Sequence, residues 1–197
     1  IQLPFVLLTL LAFIKEQKRG IYIWTALALG FVASTKSVVP AILLVFTFIG
    51  FLVVKRRFRH ITNFFLWLPI SLGVLALSYT RTFLNGYSFW DFVGFQKWIL
   101  LYQQSKLIFP FSFWRLMLFN QWQTWWGEMK IMSTEDWRFI WPLLAILPIA
   151  LVIYMIIRKE KWSPPVVLLL IWSLVYEIFL STGIIATRFL LPLLPIL

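Results

Sequence analysis

Residues 139–157 have the sequence FIWPLLAILPIALVIYMII and contain no charged side chain. A helix of about 20 mostly apolar residues crosses the hydrocarbon core of a bilayer, whereas the strands of membrane barrels have about 10 residues. The run therefore predicts a membrane-spanning α-helix. It is followed at once by the basic residues Arg158 and Lys159.

The composition of the whole chain also indicates an integral membrane protein. Of the 197 residues, 61% are hydrophobic and 13% are charged, and the mean hydropathy is +0.88. Soluble domains have about 25% charged residues. The net charge of +11 fits basic cytoplasmic turns better than nucleic-acid binding, so we expect no nucleic-acid partner. The absence of cysteine and the single His60 exclude disulfides, thiolate metal sites and multi-histidine metal sites.

Apolar runs recur along the chain and predict one transmembrane module, residues 1–197. The predicted fold is all-α: a polytopic transmembrane helical bundle with a long extracytoplasmic loop, residues 81–138, that contains interfacial helices. Because the sequence begins and ends within apolar runs and has no initiator Met, we expect a fragment of a larger protein. The predicted spans lie at about residues 1–14, 21–35, 38–54, 63–79, 139–157, 164–180 and 189–197.

The second predicted span is rich in small residues, among them Ala26, Ala28, Gly30 and Ala33. Small residues let the backbones of neighbouring helices approach closely in lipid. We therefore expect this helix to pack tightly against a neighbour.

Basic residues predict the orientation of the module. The turns at residues 15–20, 55–60 and 158–161 hold ten of the 18 Lys and Arg residues, and the predicted spans place these turns on one side. Short loops rich in Lys and Arg lie in the cytoplasm. In this orientation the parts that face outward are Lys36, the loop 81–138 and the turn 181–188. We expect a multi-pass protein of a bacterial or archaeal plasma membrane.

Two segments of the outer loop predict helices that lie in the headgroup plane. Aromatic and aliphatic residues recur at helical spacing within residues 89–106, and again within residues 111–122. Aromatic amphipathic helices of this kind lie at the membrane surface. Alternatively, these aromatic residues form a belt that only anchors the loop.

Two cations on the predicted outer side are candidates for binding a lipid phosphate. Lys36 lies between two spans, and Arg188 immediately precedes the last one. Lysine binds phosphate as a point charge, and arginine makes forked contacts with phosphate oxygens. The alternative is that both side chains extend to the membrane surface as anchors.

Glu177 is the one acidic residue within the 164–180 run, near its predicted outer end. Ionisable groups inside spans are costly and often functional. A structural ion pair with Arg188 or Lys36 and a role in substrate binding are both open.

The loop offers further candidates for substrate binding, namely Gln121, Trp125, Trp126, Glu128, Asp91 and Arg138. The loop has four carboxylates, Asp91, Glu128, Glu135 and Asp136, and one of them could bind a sugar hydroxyl, an acceptor or a divalent cation. Their spacing matches no metal motif, so we predict no metal site and leave a need for a divalent cation open. The tryptophans could stack on a sugar ring, but aromatic belts use the same residues.

Three stretches resemble polytopic glycosyltransferases of the GT-C class. Residues 29–36, LGFVASTK, resemble the family segment GLA-x-x-TK, with departures at Phe31 and Val32. Residues 188–195, RFLLPLLP, are similar to its R-[YF]-x-L-P-x-x-P helix start, and residues 120–126, NQWQTWW, are similar to its aromatic outer loop. The nearest members are the dolichyl-phosphate-mannose–protein mannosyltransferases and the aminoarabinose transferases of lipid A.

The resemblance implies an enzyme and a mechanism. A polyprenyl-phosphate sugar is the donor, reached from the extracytoplasmic side, and a protein or lipid is the acceptor; no organic cofactor is implied. Lys36 and Arg188 would hold the donor phosphate. The family's catalytic acidic residue belongs to a first outer loop that precedes these spans, so we assign no catalytic residue here and expect the fragment alone to be inactive.

A membrane transporter or flippase, or a structural membrane subunit, is the alternative. Transporters place polar sites and broken helices near the midplane, whereas polar residues here are concentrated in one outer loop. An internal repeat of the spans in the full-length sequence would favour transport; an acidic pair in a first outer loop would favour the transferase.

Overall fold

The computed structural model of the protein describes residues 2–35, 37–104, 110–124, 130–158 and 162–182. Within these ranges the chain is almost entirely helical, which confirms the all-α class. It divides into two compact units, Ile1–Ile99 and Leu100–Leu197. The elements are α1 (Gln2–Glu16), α2 (Ile23–Thr35), α3 (Val39–Val54), α4 (Phe58–Ser78), α5 (Thr80–Leu84), α6 (Phe89–Gln104), α7 (Ser112–Phe119), β1 (Trp122–Gln123), β2 (Ile131–Met132), α8 (Ile140–Arg158) and α9 (Pro164–Leu180).

Five predicted spans coincide with α1, α2, α3, α8 and α9 to within two residues at either end. The span predicted at 63–79 lies in α4 except for its last residue, and the turn predicted at 55–60 is wrong at its end, because α4 begins at Phe58 and includes Arg59 and His60. Polar side chains in the first turn of a helix can reach water while the backbone stays helical, so a basic sequence does not by itself define a turn. The span predicted at 189–197 lies outside the described residues.

Within the described residues, two helices are long and apolar enough to cross a membrane, α4 with 21 residues and α8 with 19. Each buries few residues against the rest of the chain: Phe64 and Ser71 in α4, Ala145 and Pro148 in α8. Apolar helices exposed to this extent need an apolar environment. These two helices support association with a membrane; the number of crossings and their orientation stay predictions.

Aromatic rings form the centre of the first unit. Phe13 of α1 stacks on Phe48 of α3 at 4.1 Å between ring centroids, and it meets Phe51 edge-on at 5.6 Å. Tyr22 and Phe64 complete the cluster, and their rings meet edge-on at 5.5 Å. All five side chains are fully buried.

Polar contacts join the two predicted basic turns at one end of this unit. Arg57 donates to the side-chain and backbone oxygens of Gln17, and the Tyr22 hydroxyl lies 3.1 Å from Nδ1 of His60. The Glu16 carboxylate accepts the backbone N–H groups of Trp24 and Thr25, at 2.9 and 2.8 Å, and so satisfies free donors at the start of α2. The turns 15–20 and 55–60 therefore lie at the same end, as predicted.

The close approach predicted for α2 is confirmed, and its partner is α4. A Cβ atom placed on Gly30 would lie 2.6 Å from Cβ of Val74 and 3.0 Å from the backbone oxygen of Ser71. One turn away, the Ser71 hydroxyl donates to the backbone oxygen of Ala26 at 2.7 Å. Only a residue without a side chain fits between the two backbones at Gly30.

Gly30→Ala is expected to destabilise the protein by about 1–3 kcal/mol, the usual effect of forcing a methyl group into a packed contact. Gly73→Ala is the matched control, because Gly73 also lies in a helix and a Cβ there meets nothing within 4 Å. Thermal denaturation of both variants in the same detergent should show a lower melting temperature for Gly30→Ala alone. Equal melting temperatures would contradict the tight packing of α2 on α4.

The predicted outer loop contains more regular structure than the sequence indicated. The helix predicted at 89–106 is α6, which ends at Gln104, and α5 precedes it. The helix predicted at 111–122 is wrong at its end, because Asn120 adopts a left-handed conformation with φ 53° and ends α7. Trp122 then pairs with Met132 in the antiparallel strands β1 and β2.

The second unit is held together by polar contacts at both ends of α7. At its start, the Ser112 hydroxyl donates to the backbone oxygen of Leu180 in α9 at 2.7 Å. At its end, the Asn120 side chain accepts from the N–H of Thr134 at 2.9 Å and donates to its oxygen at 3.2 Å. These contacts fix α7 beside the end of α9.

Candidate functional site

Glu177 is a buried carboxylate in α9, with only 3% of its surface exposed. The helix starts with Pro164 in its first turn, where a missing N–H costs little, and most of its other residues are apolar. Trp172, Tyr176 and Leu180 are buried on the same helix. An acidic side chain in such surroundings is stable only with hydrogen bonds or a compensating charge.

One of the two oxygens of Glu177 has a partner. The Ser173 hydroxyl, one turn earlier in α9, lies 3.0 Å from Oε1 and donates to it. Oε2 is buried and has no hydrogen-bond partner among the described residues. A buried acceptor left without a partner costs about 1–3 kcal/mol, and more when the group is charged.

Glu177 lines a cavity of about 770 Å³ in the second unit. Sites for small ligands have volumes of about 300–1,000 Å³. The described lining is mostly apolar and combines the start of α7, one residue of α8 and the end of α9: Pro110, Phe111, Trp114, Ile149, Leu174, Glu177, Ile178, Ser181 and Thr182.

The other polar side chains of this lining already have partners. The Ser181 hydroxyl donates to the backbone oxygen of Glu177 at 2.8 Å, and the Thr182 hydroxyl donates to that of Phe179 at 2.7 Å. No lysine or arginine of the described residues lines the cavity. The described lining can therefore hold an apolar molecule.

Several predicted site residues lie outside the described part of the chain, namely Lys36, Arg188, Trp125, Trp126 and Glu128. Their roles stay predictions. The ion pair of Glu177 with Arg188 or Lys36 likewise stays a prediction.

Asp91 caps the start of α6. Its carboxylate accepts from both the backbone N–H and the hydroxyl of Ser88 at 2.7 Å, and the N–H of Asp91 donates to the same hydroxyl at 3.2 Å. This reciprocal pattern is a capping box. The hydrogen bonds from Ser88 lower the pKa of Asp91 below its ordinary value. These contacts give Asp91 a structural role; its role in substrate binding stays a prediction.

Asp91→Ala and Ser88→Ala are both expected to lower the stability of α6, each by loss of the same cap. The folded state lowers the pKa of Asp91. The cap therefore stabilises the helix fully above the ordinary pKa of aspartate, and this stabilisation is lost as the pH falls towards the lowered pKa. Helix content measured by circular dichroism should therefore depend less on acid pH in Asp91→Ala than in the unmodified protein. An identical acid dependence in both would contradict the cap.

Arg138 and Gln121 lie on the surface of the second unit. The Arg138 guanidinium makes two long contacts, each 3.4 Å, with the backbone oxygens of Glu135 and Trp137. Gln121 follows the end of α7, and its N–H donates to the backbone oxygen of Arg115 at 3.1 Å. Neither is among the described residues that line the cavity of Glu177.

The sequence singled out Glu177 but not the residues around it. Ser173 could have been found, because a serine four residues before a glutamate lies on the same face of a helix. Phe111 and Trp114 belonged to a predicted interfacial helix, and their contribution to a cavity could not be read from spacing. Among the described residues, no group of three or more His, Asp or Glu side chains could hold a metal ion.

The described part of the chain is thus mainly helical, with two helices able to cross a membrane and a buried carboxylate beside a largely apolar cavity. No family model, no curated protein and no solved structure matches the chain.

Proposed function

We propose that the protein is a membrane glycosyltransferase that transfers a sugar from a polyprenyl-phosphate donor to a protein or lipid acceptor on the extracytoplasmic side. The observation that carries the proposal is the cavity beside Glu177, whose largely apolar lining suits the lipid part of an amphiphilic substrate. The resemblance of residues 29–36, 120–126 and 188–195 to GT-C transferases points to the same class.

The proposed reaction needs a base that takes a proton from the acceptor and cations that stabilise the leaving phosphate. The acceptor oxygen or nitrogen forms a bond to the anomeric carbon of the sugar, the bond from that carbon to the phosphate oxygen breaks, and the lipid phosphate leaves with the electron pair. The base that takes the acceptor proton would be the acidic residue of the first outer loop that the resemblance implies. Lys36 and Arg188 would stabilise the negative charge that grows on the leaving phosphate.

Transfer of radiolabelled sugar from polyprenyl-phosphate donors tests this function. The assay uses membranes that contain the full-length protein, with membranes from cells lacking it as the control. We expect label to appear in a protein or lipid acceptor. Absence of transfer from every donor by correctly inserted protein would favour a transporter or a structural subunit instead.

A further inference from the structure

Two basic segments, residues 15–20 and 55–60, form one cationic surface on the first unit, here called the basic end. The segments lie together because the Arg57 side chain donates to both oxygens of Gln17. All of the cations of the basic end except Lys55 and Arg57 are exposed. Its lysines and arginines are Lys15, Lys18, Arg19, Lys55, Arg56, Arg57 and Arg59.

Glu16 is the one carboxylate of the basic end, and the fold already uses both of its oxygens. Oε1 accepts from the backbone N–H of Trp24, and Oε2 accepts from the N–H and the hydroxyl of Thr25. One carboxylate offsets at most one of the seven positive charges, so the surface stays strongly positive. Like charges held this close repel each other, and an anionic partner would remove that repulsion.

Arg56 places a cation at a backbone position that suits glycine better. At the end of α3, the N–H groups of Arg56 and Arg57 donate to the backbone oxygens of Val53 and Leu52, at 2.9 and 2.8 Å. This is the Schellman pattern, in which the residue at the position of Arg56 is left-handed and is usually glycine. Here φ of Arg56 is 54°. Glycine in its place would remove a charge and relieve the backbone at the same time.

Two exposed aromatic side chains belong to the same end of the unit. Trp24, with 68% of its surface exposed, lies in the first turn of α2, which Glu16 caps. Phe58, 61% exposed, directly follows Arg57 and begins α4, a helix long and apolar enough to cross a membrane. Exposed aromatic side chains next to cations are typical of protein surfaces at the level of lipid headgroups. The arrangement therefore favours a membrane lipid over a soluble polyanion.

We propose that the basic end binds the headgroup phosphates of anionic phospholipids in the adjacent leaflet of the membrane. Lysine and arginine both bind phosphate oxygens, and clusters of four to eight such residues beside a membrane helix attract anionic lipids. The acyl chains would lie in the bilayer beside the exposed apolar surface of α4. This inference does not depend on sugar transfer and holds equally for a transporter or a structural subunit.

Binding of two phospholipids with the same acyl chains tests the proposal. The full-length protein in a neutral detergent is titrated with radiolabelled dioleoyl phosphatidylglycerol or dioleoyl phosphatidylcholine, and saturable binding is measured. We expect the anionic lipid to bind tighter by about tenfold or more in about 0.1 M salt, and the difference to shrink in about 1 M salt, which screens charge. Equal binding of the two lipids would mean that the cations are only solvated and would overturn the proposal.

Variants locate the anionic lipid to the basic end. Arg56→Gly should weaken phosphatidylglycerol binding by about fivefold, the usual effect of one basic residue near an anionic membrane surface. Its melting temperature should stay the same or rise, because the left-handed backbone suits glycine. A merely structural role of Arg56 would not produce this combination.

Lys18 supplies a second site that leaves the end of α3 untouched. Lys18→Gln should weaken phosphatidylglycerol binding about as much as Arg56→Gly, and Lys18→Arg, which keeps the charge, should bind normally. Lys97→Gln is the control, because Lys97 is an exposed cation outside the basic end. Normal binding in both Arg56→Gly and Lys18→Gln, or an equal loss in Lys97→Gln, would overturn the proposal.

Two soluble anions test whether the ligand is a membrane lipid. Glycerol phosphate carries the charged headgroup chemistry without acyl chains, and a short oligodeoxythymidylate is a soluble polyanion. At millimolar concentration, we expect neither to displace phosphatidylglycerol from the protein. Displacement by glycerol phosphate would indicate a site for free phosphate, and displacement by the oligonucleotide would indicate a nucleic-acid surface; either result would overturn the proposal.

Discussion

Lys36→Ala and Arg188→Ala are each expected to lower the rate of sugar transfer by about a hundredfold or more. Removing a group that stabilises charge in the transition state typically has an effect of this size. In the sequence Lys36 follows Thr35, the last residue of α2. The predicted topology places Lys36 on the outer side, where the donor phosphate is expected.

The controls for these variants are cations that have no proposed role. Lys97→Ala and Arg81→Ala change exposed basic residues in the predicted outer loop, and transfer should stay within about twofold of normal, because exposed surface charges contribute little. Protein amount and melting temperature are measured for all four variants. Normal transfer in both Lys36→Ala and Arg188→Ala would refute the phosphate-binding role.

The positions of the helices could be predicted because each apolar run is long and ends at charged or small polar residues. Lys55 and Arg158 illustrate this, since α3 ends immediately before the first and α8 ends at the second. The start of α4 could not be predicted in the same way. Arg59 and His60 are polar enough for a turn, yet their first-turn position leaves the helix intact.

The candidate site was predicted only in part, because its parts meet through packing between distant segments. Glu177 stood out as one acidic residue in an apolar run, which needs no tertiary information. The cavity needs the contact of α7 with α9 through Ser112 and Leu180, a pair separated by 68 positions. Hydrophobic periodicity indicates which face of a helix is buried, but not which other helix covers it.

The close contact of α2 with α4 also shows that a buried face can be predicted from sequence but its partner cannot. The small residues of α2 predicted that some helix would approach it closely, and Gly30 does make such an approach. Its partner is Val74 of α4. This pairing depends on contacts between the turn before α2 and the start of α4, where Arg57 donates to Gln17 and Asn63 donates to Gly20. Which helices pack against each other depends on their arrangement in space, and this cannot be read from a single sequence.

Phe13→Ala is expected to cause the largest loss of stability, about 3–5 kcal/mol, the usual effect of removing a buried aromatic side chain. The Phe13 ring has no exposed surface and packs against rings from α3 and α4, so its loss would leave a cavity where three helices meet. In lipid this packing matters more than burial from water, because exposed apolar side chains already have apolar neighbours.

Leu8→Ala is the matched control for Phe13→Ala, since Leu8 lies on the same helix with 52% of its surface exposed. Unfolding by a graded series of denaturing detergent should therefore show a large shift for Phe13→Ala and a small one for Leu8→Ala. Similar shifts would mean that the aromatic cluster does not hold α1 in place. A large shift for Phe13 alone would instead show that ring packing, rather than hydrophobicity along α1, stabilises the unit that carries Lys36.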